Sequence, residues 1–169
     1  GIIINDTVYI LNALDERIPN SLLQLLQQGN DTMILVREIE NGLITGKIKA
    51  EGISYADIYS LLHAPIPNQT SMRDGYAFRQ HVAAARRNRG VPMIPEFDQY
   101  PIFYFGNHNA MQGPGEIWCM PDHVQKLDFE IEVAIVVGKK GRNIKEAEAD
   151  EYIAGNIIMN DMSACTLQM

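Results

Sequence analysis

Cysteine is scarce in this chain: Cys119 and Cys165 are the two in 169 residues. Two thiols cannot build the disulfide framework that staples small secreted domains. Beside eight methionines, they fit a reducing compartment. Positive charge is also in short supply. Fourteen Lys and Arg stand against 21 Asp and Glu, for a net charge of −7 and a pI of about 5.0. An acidic surface repels phosphate backbones, so nucleic acid is not the expected partner. The one basic cluster, Arg86, Arg87 and Arg89, reads as a solvated helix end. No apolar run approaches the roughly 18–20 residues of a bilayer span, so no membrane partner is expected. No signal-like segment opens the chain, which makes cytoplasm the default location. No Cys/His pairing suggests zinc, and neither a GxGxxG turn nor a P-loop is present. What remains is ordinary globular composition, 46% hydrophobic and 21% charged. The length suits one domain, or a small one plus part of another.

The first sixty residues read as a small unit. Val8–Leu11 is a strand candidate. Ser21 can cap a helix over Leu22–Gln28, and Gly29 sits where it would end. Asp31 can cap a second helix, Thr32–Asn41, stopped by Gly42. Ile58–Leu62 is another strand candidate. Two prolines and several turn formers in His63–Ser71 then mark a boundary. Beyond it, Tyr76–Arg89 predicts a helix ended by Gly90. Pro101–Phe105 predicts a buried strand, and Glu116–Cys119 a short one. Lys145–Tyr152 predicts a short polar helix, and Ile153–Asn160 an apolar strand. The clearest element is Asp128–Gly138. Phe129, Ile131, Val133, Ile135 and Val137 alternate with Asp128, Glu130, Glu132, Ala134 and Val136 at the strand period of two.

Glu130 and Glu132 therefore point the same way. Like charges that close repel unless a cation or a shared proton compensates. A solvated sheet face is the plain explanation. The same face runs on into Ala134 and Val136, which suggests the mouth of a cleft instead. Asp161, after Asn160, is either a turn former or a third carboxylate at a strand end. Asp74, in Arg73-Asp74-Gly75-Tyr76, is either the N-cap of the next helix or a fourth. If the four meet, an all-oxygen site selects a hard cation: Mg²⁺, alternatively Mn²⁺ or Ca²⁺. His81 follows Asp74 by seven residues, two helical turns. It is either an ordinary helix histidine or, near such a site, a general base. His63, His108 and His123 have no comparable company.

Three stretches resemble the fumarylacetoacetate hydrolase family. They are Ser71–His81, Leu127–Ala134 continuing through Gly138–Ile144, and Asn160–Ala164 followed by Gln168. The Ala64–Pro67 segment also looks like that family's approach to its catalytic domain. The resemblance covers residues 61–169. It implies an α+β fold: a mixed β-roll, incomplete here, over residues 63–169, preceded by a small α/β N-terminal domain over 1–62. It implies a metal-dependent hydrolase that cleaves a C–C bond in a 1,3-diketo or oxo-acid such as fumarylacetoacetate or an acylpyruvate, typically as a homodimer. Carried over residue by residue, Asp74, Glu130, Glu132 and Asp161 would hold the metal. His81 would activate water. Tyr76, Tyr104 and Gln168 would contact the substrate. Decarboxylases and isomerases of oxo-acids share the scaffold, and the ligand set does not separate them from hydrolases.

Two departures qualify the resemblance. Cys165 stands where the family usually has arginine after Ser-Ala, which removes a charge and up to five donors. Family members also continue well past this motif. The chain starts at Gly1 and stops on small and apolar residues. The expectation is a front portion, lacking the closing strands, a substrate-side lysine and the carboxylate that orients His81. Such a portion would be a poor catalyst alone. The alternative from another class is a non-catalytic association unit.

Overall fold

The structure, a computed structural model, describes residues 1–121, 125–165 and 167. The chain divides into two units: Gly1–Leu62 with Pro114–Met169, and His63–Gly113. Helices and small antiparallel sheets make an α+β architecture. No helix of the described residues is long and apolar enough to cross a membrane.

In the first unit, β1 (Ile2–Ile4), β2 (Thr7–Tyr9) and β3 (Ile53–Ser54) form one antiparallel sheet in that order. Asn5 and Asp6 link β1 to β2, both with positive φ (48° and 62°). A two-residue hairpin needs that conformation, and Asn and Asp tolerate it better than most residues. The helices are α1 (Leu11–Leu14), α2 (Leu22–Gln28) and α3 (Asn30–Ile44). Ser21 caps α2 as its sequence indicates, its side chain accepting from the Gln24 N–H at 3.5 Å. Leu11, Ile18, Leu25, Val36 and Ile39 form the core. Ile18 is 1% exposed, so it has no solvent-facing side into which a cavity could open. Ile18→Ala should therefore cost about 2–5 kcal/mol, read as a lower denaturant midpoint at unchanged m.

Four local expectations change here. Asp31 does not cap α3: it lies within the first turn, and Gly29 holds the N-cap position. Leu11 does not extend the strand: β2 stops at Tyr9, and Leu11 is buried as the first residue of α1. Gly42 does not end α3, which runs on to Ile44. A Cβ at Gly42 would lie 2.6 Å from Ile48 Cδ1, so glycine serves close packing there. The strand expected at Ile58–Leu62 is instead α4 (Tyr55–Ile58) followed by a 3-10 turn, Tyr59–Leu61. Tyr55 and Tyr59, four apart, meet edge to face at 5.8 Å, a contact that helical spacing permits and strand spacing does not.

The same unit contains the long antiparallel hairpin of β6 (Leu127–Val137) and β7 (Ile153–Ala164), with an irregularity at Val136/Val137. The connection carries a 3-10 segment, Glu146–Tyr152, where a polar helix was expected. Lys139 ties it down, 3.3 Å from Glu151 and 4.9 Å over the Tyr152 ring. Gly138 lies where a Cβ would come within 2.8 Å of Ala154 Cβ, so the strands approach closely at that end. Phe129, Ile131, Val133, Ile135 and Val137 are 59–72% exposed, so the wholly apolar face of β6 is the outward one. Glu116–Cys119 forms no strand.

In the second unit, β4 (Arg73–Gly75) and β5 (Phe103–Phe105) form an antiparallel ribbon. α5 (Arg79–Asn88) starts three residues later than its sequence suggests: the Ala77 N–H turns back to the Gly75 carbonyl at 2.7 Å, and Phe78, extended, is the N-cap. Gly90, at φ 69°, follows its end. Val82 buries the inner side of α5, and Arg79 Nε bonds Asp98 Oδ1 at 2.8 Å. That hydrogen bond holds the Asp98 carboxyl below the usual carboxylate range. β5 was expected to be buried, yet all three of its residues are exposed: it pairs only with the three-residue β4 in a two-stranded ribbon.

Candidate metal centre

The β6–β7 register assembles the acidic face. Glu130 pairs with Asp161, Glu132 with Met159 and Asp128 with Ser163. Directly opposed residues of an antiparallel pair share a face, as do residues two apart on one strand. Glu130, Glu132 and Asp161 therefore project together. Glu132 and Asp161 each place a carboxylate oxygen within 4.8 Å of the other. Both are half-buried, whereas Glu130 is exposed. Along the same face Ala134, Val136, Ile157 and Met159 are half-buried too, so the acidic end opens onto a covered apolar strip. The Glu130 N–H donates to Asn160 Oδ1 at 3.2 Å, and Ser163 is buried beside the site. Asp161 does not lie beyond the strand end as expected. It sits inside β7, three residues before Ala164, so sheet register rather than a turn aims it.

These residues fit a hard divalent cation. The donors are all carboxylate oxygens, and those of Glu132 and Asp161 lie within 4.8 Å of each other, where a divalent cation would offset their mutual repulsion. Among the described residues, the β6–β7 hairpin offers no thiolate or imidazole ligand that would favour zinc.

Asp74 belongs to the other unit. It lies in β4 directly opposite Tyr104 of β5, whose hydroxyl donates to Asp74 Oδ2 at 2.5 Å. Asp74 is therefore no helix N-cap; Phe78 holds that position. The helical-spacing link between Asp74 and His81 also falls, because Asp74 is on a strand. His81 stands exposed in the first turn of α5, its ring centroid 6.2 Å from that of Tyr76. The Tyr76 N–H donates to the Ile102 carbonyl at 3.1 Å, which carries the ribbon pairing one residue further. Tyr76 lines an open surface groove with Asp98, Tyr100, Ile102 and Phe103. Cys165 is half-buried, its N–H bonded to the Lys126 carbonyl at 3.0 Å. Gln168 and His123 lie outside the described residues. The Tyr104–Asp74 bond was not foreseen.

Comparisons with known proteins bear on the family and the fold. The model of the fumarylacetoacetate (FAA) hydrolase C-terminal family matches residues 70–169. A fumarylacetoacetate hydrolase domain-containing protein 2 homolog of Dictyostelium discoideum is 26% identical over 170 residues, covering 100% of this chain and 51% of its own length. The mitochondrial oxaloacetate tautomerase FAHD2A of Bos taurus is 28% identical over 159 residues, covering 94% of this chain and 46% of its own. This chain thus spans about half the length of the curated relatives it matches. A crystal structure of a Mycobacterium smegmatis protein described as HpcE superposes with a TM-score of 0.70 at 21% identity. It covers 99% of this chain and 53% of its own, a likeness of fold. With its acidic strand pair in register and the family model matched from residue 70 to residue 169, the chain belongs to the fumarylacetoacetate hydrolase family.

Proposed function

We propose that this chain carries the metal-holding part of an enzyme that acts on a 1,3-diketo or 2-oxo acid. The observation that supports it best is the facing of Glu130, Glu132 and Asp161 across one hairpin. With Asp74 they form the ligand set for Mg²⁺, or alternatively Mn²⁺ or Ca²⁺. When bound, such a cation supplies Lewis acidity to adjacent oxo and enolate oxygens. The carboxylates hold it and fix where a chelating substrate must lie. An imidazole nitrogen of His81 takes the proton that starts the reaction. Tyr76, Tyr104 and Gln168 contact the substrate. The reading includes a mixed β-roll over 63–169 behind a small domain at 1–62, a homodimer, and a cytoplasmic location.

Two reactions share this machinery. In C–C hydrolysis His81 takes a proton from water, whose hydroxide adds to the distal carbonyl; the C–C bond breaks to leave a carboxylic acid and an enolate, and the His81 proton passes to the enolate carbon to give the second product. In tautomerisation His81 takes it from the carbon between the carbonyls and returns it to oxygen, with no net change in composition. The Bos taurus relative's name, oxaloacetate tautomerase, favours the second. The exposed apolar face of β6 favours an association role for this part of the chain alongside either.

Product analysis separates them. The full chain with Mg²⁺ is given enol-form oxaloacetate and, separately, an acylpyruvate, both followed by NMR. Faster enol–keto equilibration without new products identifies a tautomerase. Two carboxylic products from the acylpyruvate identify a hydrolase. No acceleration of either reaction by a correctly folded, Mg²⁺-loaded protein would sink the enzymatic reading.

A further inference from the structure

We infer that Tyr104, beside the substrate contact proposed for it, is a positioning residue that aims the Asp74 carboxylate. This rests on the ligand set proposed above. β4 and β5 are three residues each, and a two-stranded ribbon that short is marginal without side-chain support. Each face of the ribbon has a cross-strand tie. On one, Tyr104 stands opposite Asp74 and its phenol donates at 2.5 Å, the short end of the range for a hydroxyl on a carboxylate. On the other, Arg73 stands opposite Phe105, with its guanidinium 4.8 Å over that ring and 5.7 Å over Phe103. The second tie keeps the register that the first requires.

The bond has a specific consequence. A carboxylate on a strand turns about its terminal torsion with little preference. A phenol donor on Oδ2 occupies one of about four acceptor sites and sets the carboxylate plane, leaving Oδ1 for a second partner. Ligating carboxylates are themselves commonly held by such outer hydrogen bonds, and losing one costs roughly 10–100-fold in metal affinity. Tyr104 is 49% exposed, so Tyr104→Phe removes the donor without opening a cavity.

The test is Mn²⁺ calorimetry on the full chain as wild type, Tyr104→Phe, Asp74→Asn and the double variant, with thermal midpoints as a folding control. Tyr104→Phe is expected to weaken Mn²⁺ binding about 10-fold at an unchanged midpoint. The double variant should bind no worse than Asp74→Asn alone, because the tyrosine acts through that carboxylate. A Tyr104→Phe affinity within twofold of wild type, with Asp74→Asn clearly weakened, overturns the positioning role and leaves the ligand set standing. Wild-type affinity in Asp74→Asn removes Asp74 from the ligand set, and the inference falls with it.

Discussion

Replacing Glu130 and Glu132 together by glutamine should abolish saturable Mg²⁺ and Mn²⁺ binding. Both lie on the Asp161 face of the β6–β7 hairpin, so the double variant removes two of the three charges collected there. Glutamine keeps the volume and the strand pattern but loses the charge that a hard cation requires. The loss should exceed the roughly 10–100-fold typical of an outer hydrogen-bond partner. Folding should not suffer. Without a cation the carboxylates repel one another, so the variant is expected to melt at or slightly above the wild-type temperature. Calorimetric titration with a parallel thermal melt reads both quantities. Binding undiminished in a folded variant would place the cation away from this hairpin.

Replacing His81 by alanine should lower turnover by about 10²–10⁴-fold, the usual contribution of a positioned general base. Cation affinity should stay within twofold. His81 is exposed in the first turn of α5, and that helix is anchored by buried Val82 and the Arg79–Asp98 bond. Alanine is the better helix former, so α5 should persist. The variant thus separates chemistry from binding. A parallel loss of cation affinity would make His81 a ligand, and undiminished turnover would take it out of the reaction.

The two predictions draw on different kinds of legibility. The strand Asp128–Gly138 is readable because its alternation extends over eleven residues, and it forms as β6, shifted by one residue. Ser21 and Gly29 likewise bound α2 by local chemistry alone. Short segments were misread wherever packing outweighed pattern. Leu11 went into a helix because the core needed it, Gly42 stayed inside α3 to admit Ile48, and Tyr55–Leu61 coiled around a ring pair.

By itself the sequence determined the family, the glutamate pair on one strand face and the all-oxygen character of the donors. The family follows from the resemblance carried by three stretches, and the shared face of the glutamates from a spacing of two, which backbone geometry turns directly into direction. Tertiary structure alone decided what faces that pair. Asp161 opposes Glu130 because thirty intervening residues bring β7 back in one register of many, and a one-residue slip would have turned it to the other side of the sheet. Asp74 became a strand residue under Tyr104 for the same reason. Cross-strand partners are chosen by long-range pairing, which local spacing does not encode.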